Sequence, residues 1–199
     1  MHHLTSYQLG IVYSLGSIVD SRWVFRHYNR YFLEQIHFCN SIYKQEYKGK
    51  TQYVLKMPLD VIDVSGYNYT NRNSDQRDIP ILDSESDYKE FVRAYIEIHG
   101  RLDIRNAISH GKRYKQLRLR IYGNYVMMES LSRLLNEYVD VGIKKVSEEA
   151  GNGKTGILYY QSRDEIVRVF EWVDRDDVVG GNKCEEYWDE IWEMVKMFE

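Results

Sequence analysis

Along the chain, stretches with apolar residues at helical spacing hand over repeatedly to stretches in which apolar and polar residues alternate. Residues 86–99 set Phe91, Val92, Tyr95, Ile96 and Ile98 on helical intervals and stop at Gly100, a residue type that commonly ends helices. The alternation in 101–109 and 115–122 then predicts two strands joined by a turn at "HGKR" (110–113), with Leu117, Leu119 and Ile121 on one face and Arg118, Arg120 and Tyr122 on the other. Helical spacing returns over 125–138. A hairpin follows within 142–160, turning at "GNGK", and then a helix over 162–173 with Ser162 as N-cap and Glu165 completing a capping box. The unit reads α-β-β-α-β-β-α.

The same order occurs earlier in compressed form. Residues 6–15 predict a helix, 17–28 a hairpin turning at Asp20-Ser21, 29–43 a helix, and 44–57 a hairpin turning at "KGK", with a short closing helix within 58–67. "VYSLGSIVD" (12–20) and "YIEIHGRLD" (95–103) align on Gly16 and Gly100. "YNRYFLEQIHFCNSIY" (28–43) aligns with "GNYVMMESLSRLLNEY" (123–138), pairing Asn29 with Asn124, and "GKTQYVLKM" (49–57) aligns with "GKTGILYYQ" (153–161). Three blocks in the same order indicate a duplication. The expected organisation is a first repeat over 1–67, a polar, turn-rich linker over 68–87, a second repeat over 88–175 and an acidic amphipathic helix within 176–199. That last helix carries Trp188, Ile191, Trp192, Val195 and Phe198 on one stripe.

These features resemble the LAGLIDADG homing endonucleases and maturases, in the form with two motif copies in one chain, over roughly residues 5–175. The resemblance implies an α+β fold: two αββαββα halves related by a pseudo-twofold, with antiparallel sheets forming a saddle over duplex DNA and motif helices packed along the axis. It also implies that the residue just before each motif glycine is an acid that holds divalent metal. Those positions are Leu15 and His99 here. Leucine ligates nothing, and a neutral imidazole is a poor substitute for the carboxylate that Mg²⁺ prefers. The fallback acids are Glu97, Asp103 and Asp20; Glu97 lies about 200° around the helix from His99, and the two aspartates follow the glycines and would have to fold back. No catalytic residue and no metal ligand is therefore assigned, and Mg²⁺ is expected only if the chain cleaves DNA after all.

Charge points to what remains. Residues 1–58 carry 7 basic against 3 acidic residues and 89–163 carry 14 against 8, whereas 59–88 carry 2 against 7 and 164–199 carry 4 against 12. The basic blocks supply Arg22, Arg26 and Arg30 in the first repeat, and Arg101, Arg105, Lys112, Arg113, Lys115, Arg118 and Arg120 in the second. These suit a β-ribbon whose arginines read guanine edges and whose lysines hold phosphates. Asp103, the one acid among the second set, could also be half of an ion pair. The leading expectation is a catalytically degenerate DNA-binding protein, monomeric with internal pseudo-symmetry and regulatory or borne on a phage or mobile element. Two alternatives stay open: an active endonuclease with rebuilt ligands, and a protein-interaction or inhibitor module acting through the saddle or the acidic helix.

The remaining motifs narrow little. "GNGKTG" (151–156) lacks the earlier glycine of a phosphate loop, that position being Glu148, and reads as a hairpin turn. His27, His37 and His110 have no zinc-ligand spacing. Two separated cysteines, Cys39 and Cys184, suggest a reducing compartment, no stretch is long enough to cross a bilayer, and a cytoplasmic location without a membrane partner is expected.

Overall fold

In a computed structural model of the chain, the described residues are 2–71, 74–148, 155–174 and 183–198. The "GNGK" turn (151–154) lies outside them, as does part of the stretch before the last helix. The chain divides into two compact units, Met1–Ile98 and His99–Glu199.

In the first unit, Thr5 opens helix α1 (Ser6–Leu15) with a capping box: its hydroxyl accepts the Gln8 N–H, and the Gln8 side chain accepts the Thr5 N–H. All but two residues of α1 are buried, as an apolar sequence without a polar face requires. The helix lies against α3 (Glu85–His99) with little between the backbones. A Cβ on Gly10 would stand 2.5 Å from the Phe91 carbonyl oxygen and 2.8 Å from the Ala94 Cβ. Gly16 ends α1 in an extended conformation (φ −66°), so left-handed geometry is not the reason for glycine there. The reason is space: a Cβ would meet the Val12 carbonyl oxygen at 2.5 Å.

Strands β1 (Ser17–Val19), β2 (Arg22–His27), β3 (Ile42–Tyr47) and β4 (Lys50–Pro58) form an antiparallel sheet in the order β1-β2-β4-β3. The second unit repeats that order as β5-β6-β8-β7, from β5 (Gly100–Ser109), β6 (Lys112–Gly123), β7 (Ser147–Glu148) and β8 (Gly156–Tyr160). Three hairpins turn on two consecutive positive-φ residues, Asp20-Ser21 (49°, 56°), Lys48-Gly49 (50°, 71°) and His110-Gly111 (48°, 75°), the twist that matches antiparallel strands. Trp23, Phe25, Leu55 and Met57 fill the core side of the first sheet, and Leu102, Leu117, Leu119, Ile121, Leu158 and Tyr160 that of the second.

Strand register corrects one detail of the internal repeat. Ser17 pairs with Val24 and Arg101 with Arg120, so Val24 and Arg120 are equivalent. Their partners Lys56 and Tyr159 are then equivalent too, one residue away from the "GKT" alignment. A slip of one residue exchanges the two faces of a strand.

The helices differ more between the units. The stretch read as a helix over 29–43 is helical only at α2 (Tyr31–Glu34), against fifteen residues in α4 (Tyr125–Val139). Phe38 and Cys39 take positive φ (41°, 65°), the Asn40 side chain donates to the His37 and Phe38 carbonyls, and β3 has begun by Ile42. Such side-chain-to-backbone bonds compete with helix propagation. The short closing helix of the first repeat is two 3₁₀ turns, Leu59–Val61 and Ser65–Tyr67.

In the second unit, Glu165 on α5 (Arg163–Asp174) turns its carboxylate to the Lys144 ammonium (2.6 and 2.8 Å) and the Gly142 N–H (2.9 Å), which fastens the segment after α4 to α5. Helix α6 (Glu185–Lys196) lays Trp188 and Trp192 edge-on against Phe170, and the Trp192 indole donates to Asp174 at 2.7 Å. Trp188, Ile191 and Val195 are buried in that packing, so the apolar stripe offers no docking face. Glu185, Glu186, Asp189, Glu190 and Glu193 remain exposed. No helix among the described residues is long and apolar enough to cross a membrane.

Candidate nucleic-acid interface

A strand sends alternate side chains to opposite faces, and each sheet turns its apolar set to the core. In the first unit the other face carries Arg22 and Arg26 on β2, Lys56 on β4 and Tyr43 and Gln45 on β3, all exposed. Val54 lies between Arg26 and Tyr43 on its two neighbouring strands and is 4 % exposed. Gln45 donates to Gln52 at 2.8 Å, fixing both amides on the same face. Arg30 is not on the sheet; it precedes α2 and pairs with Glu34 at 2.8 Å.

The second unit presents a denser array. Arg101, Asp103 and Arg105 on β5 stand directly opposite Arg120, Arg118 and Gln116 on β6. Asp103 accepts two bonds from Arg118 (2.9 Å from Nε, 3.1 Å from Nη2) and a further one from Arg120. Burial works against the charged form of Asp103, but the hydrogen bond from Arg118 and the charge of Arg120 outweigh it and hold the carboxyl below the usual range. Arg105 donates to Gln116 (2.9 Å) and Gln161 (3.0 Å). The Tyr159 and Tyr122 rings lie 6.0 and 5.8 Å from the Arg118 and Arg120 guanidinium groups, within cation–π reach.

The basic residues of 100–120 do not all share this face. Arg113 and Lys115 project from the opposite one, with Asn106 and the exposed Ile104 and Ile108. Lys112 sits at the hairpin end, exposed beside the turn. Gln116, Tyr159 and Gln161 were not picked out from the sequence. Their signal was the alternation itself, usable only once β6 is known to pair with β8.

The ends of the two glycine-terminated helices are different in character. Leu15 is buried at 3 % exposure, and His99 is partly buried in the last turn of α3, where a basic residue suits the helix dipole. Glu97 is 6 % exposed and accepts the Tyr7 hydroxyl at 2.5 Å; burial, and then the Glu97 charge, push the Tyr7 phenol far up. Asp20 is exposed at its turn. Among the described residues no group of three or more His, Cys, Asp or Glu could hold a metal ion. Leu15, the inward-bonded Glu97 and the arginine-bound Asp103 do not fit a divalent cation.

The segment read as a linker packs onto the end of α1. Tyr69 donates to the Gly16 carbonyl (2.8 Å), Tyr13 donates to the Tyr67 carbonyl (2.6 Å), and Asn71 bonds both the N–H and the carbonyl of Ile18. Arg77, 4 % exposed, places its guanidinium 5.1 Å from the Tyr13 ring and 4.8 Å from the Tyr69 ring, with Nη2 directed to the Val12 carbonyl at 3.4 Å. Nothing in the sequence around Arg77 marked it as buried.

No family model matches the sequence, and no curated protein matches it. Solved structures do. The I-AabMI LAGLIDADG meganuclease bound to uncleaved DNA aligns over 98 % of this chain and 92 % of its own, at 12 % identity and a TM-score of 0.63. The I-SmaMI LAGLIDADG homing endonuclease bound to cleaved DNA aligns over 98 % and 90 %, at 9 % identity and 0.59. The I-LtrWI LAGLIDADG homing endonuclease bound to target DNA aligns over 97 % and 91 %, at 13 % identity and 0.58. The chain has the α+β fold of the LAGLIDADG homing endonucleases, with two four-stranded antiparallel sheets. At these identities the likeness is one of fold.

Proposed function

We propose that this chain binds duplex DNA through the polar faces of its two sheets and holds it without cutting it. One observation carries the reading: each sheet, built in the same strand order, turns arginines outward from a core-packed opposite face, Arg22 and Arg26 in one and Arg101, Arg105, Arg118 and Arg120 in the other. The fold is shared with proteins solved in complex with DNA. Arginine forks match guanine O6 and N7, and lysines and tyrosines supply phosphate contacts. The absence of cutting rests on Leu15 and His99, which cannot reproduce a pair of metal-holding carboxylates. Such a protein would act by occupying a site, as a regulator or as part of a mobile element, and its cysteine usage suits a reducing cytoplasm.

Mobility shifts on a random duplex pool at several salt concentrations test this. Binding should weaken as salt rises, with a log–log slope of about −0.9 per phosphate contacted. Absent binding, or binding indifferent to salt, would refute it. A second reading, an interaction module, is favoured by the exposed acidic face of α6. It predicts capture of a basic protein partner that is lost when Glu186, Asp189, Glu190 and Glu193 are changed to glutamine and asparagine, with DNA binding intact.

A further inference from the structure

We infer that Asp103 is a positioning residue that makes the second sheet selective for guanine-containing sites, by locking Arg118 and Arg120 as readers and by repelling phosphate. This rests on the DNA-binding reading above and adds to it a carboxylate at the centre of a face meant for a polyanion. Were the face only an electrostatic landing strip, that charge would be an obstacle. Its contacts suggest a different use.

Asp103 stands directly across from Arg118, and its two oxygens take the Nε and Nη2 hydrogens of that guanidinium. This engages one edge of the group. The other edge, Nη1 with Nη2, is the two-pronged one that fits guanine O6 and N7. Arg120 is tied to the same carboxylate, and the Tyr159 and Tyr122 rings lie within reach of the two guanidinium groups. Both arginines are half-buried, with side chains 23 % and 21 % exposed, so each is held along its length and not only at its tip. Long side chains ordered before binding lose less freedom on meeting a base edge, and this favours the duplex that presents guanine in register. The carboxylate also penalises a face pressed against phosphates out of register, a repulsive element of the kind specificity requires. Arg105 is a useful contrast, since its holders Gln116 and Gln161 are neutral and supply order without repulsion.

The test uses the full chain, a duplex selected from a random pool by the wild-type protein, the same duplex with 7-deazaguanine replacing guanine, and a scrambled duplex. The wild type should prefer the selected duplex over the deaza version by about tenfold or more, the loss expected when the N7 acceptor of a bidentate arginine contact is removed while O6 remains. Asp103→Asn should bind the scrambled duplex several-fold more tightly, with a salt slope steeper by about 1–2, and should lose most of the guanine preference. A loosened fold would instead weaken both duplexes together, and thermal unfolding of each variant separates that case. Arg118→Lys keeps the charge but not the fork; it should lose the share of guanine preference that Arg118 reads, weakening the selected duplex more than the scrambled one, and provides a second arm if Asp103→Asn is unstable. Unchanged discrimination and slope in both variants would overturn the inference while leaving DNA binding standing. Failure of the wild type to bind any pool duplex at low salt would overturn both.

Discussion

Tyr7 and Glu97 illustrate how a residue's chemistry is set by where its neighbours put it. Read in isolation, Glu97 is an acid two positions from a motif end. In the fold it is a buried acceptor for a phenol on α1, joining the two helices near Gly10. Removing that donor with Tyr7→Phe should cost about 1.5–3 kcal/mol, the range for a buried hydrogen bond to a charged group, measured by urea unfolding; an unchanged midpoint would show that the bond does not stabilise the helix pair. Asp87 makes a second link. Its carboxylate accepts the Ser6 and Ser84 hydroxyls, both at 2.6 Å, and these bonds, Ser6 first, hold the carboxyl below its ordinary value. A depressed folded-state value contributes stability that is fully present above the unfolded value of about 3.9 and is lost as pH falls through the folded one. Asp87→Asn should therefore be less stable than wild type at neutral pH, with the difference shrinking below about pH 4. Unfolding curves along an acid series would show the two converging; parallel curves would mean that Asp87 contributes nothing through its charge. Neither link was legible in the sequence, because each joins residues ninety and eighty-one positions apart.

At the scale of elements, hairpins and core-facing strands were legible because alternation and turn residues are local signals. Lys48-Gly49 and His110-Gly111 fall where the sequence placed turns, with glycine at the second position. Asp20-Ser21 makes the same turn without glycine, so Ser21 holds φ 56° against the preference of a residue bearing a Cβ. Ser21→Gly should raise unfolding free energy by about 0.5–1 kcal/mol, the relief of left-handed strain less the entropy of a freer unfolded chain. A lower melting temperature would mean that the Ser21 side chain contributes more than its backbone costs. The helix expected over 29–43 failed for an equally physical reason. Phe32, Leu33 and Ile36 have helical spacing and are buried, but the spacing is satisfied within barely more than one turn before positive φ at Phe38 and Cys39 redirects the chain. Periodicity reports which face is buried, not how far an element runs. The one-residue error in the "GKT" alignment has the same root: letter similarity carries no information about face, whereas pairing register does.

For the molecule as a whole, the duplication was visible because both copies keep the passage from helix to glycine to strand, and the two sheets share one strand order. The sorting of basic residues was not visible as a whole: β6 alone sends Arg118 and Arg120 to one face and Arg113 and Lys115 to the other. A count of charges over 100–120 therefore overstates what one duplex could meet. The same separation of face from composition governs the dependence on divalent ions. In a protein whose metal-holding carboxylates sat at both helix ends, Mg²⁺ would relieve their mutual repulsion and add to DNA affinity beyond its effect as a salt. Here one end carries buried Leu15 and the other His99, while Glu97 and Asp103 are already committed to Tyr7 and to two arginines. Affinity for a selected duplex should accordingly be the same in Mg²⁺ and in EDTA once ionic strength and competition at phosphates are matched, and Mn²⁺ should produce no cuts in that duplex. Tighter binding with Mg²⁺ than such matching explains, or a strand break abolished by Asp103→Asn, would mean that the acids along the motif ends rearrange on DNA to do what their present partners prevent.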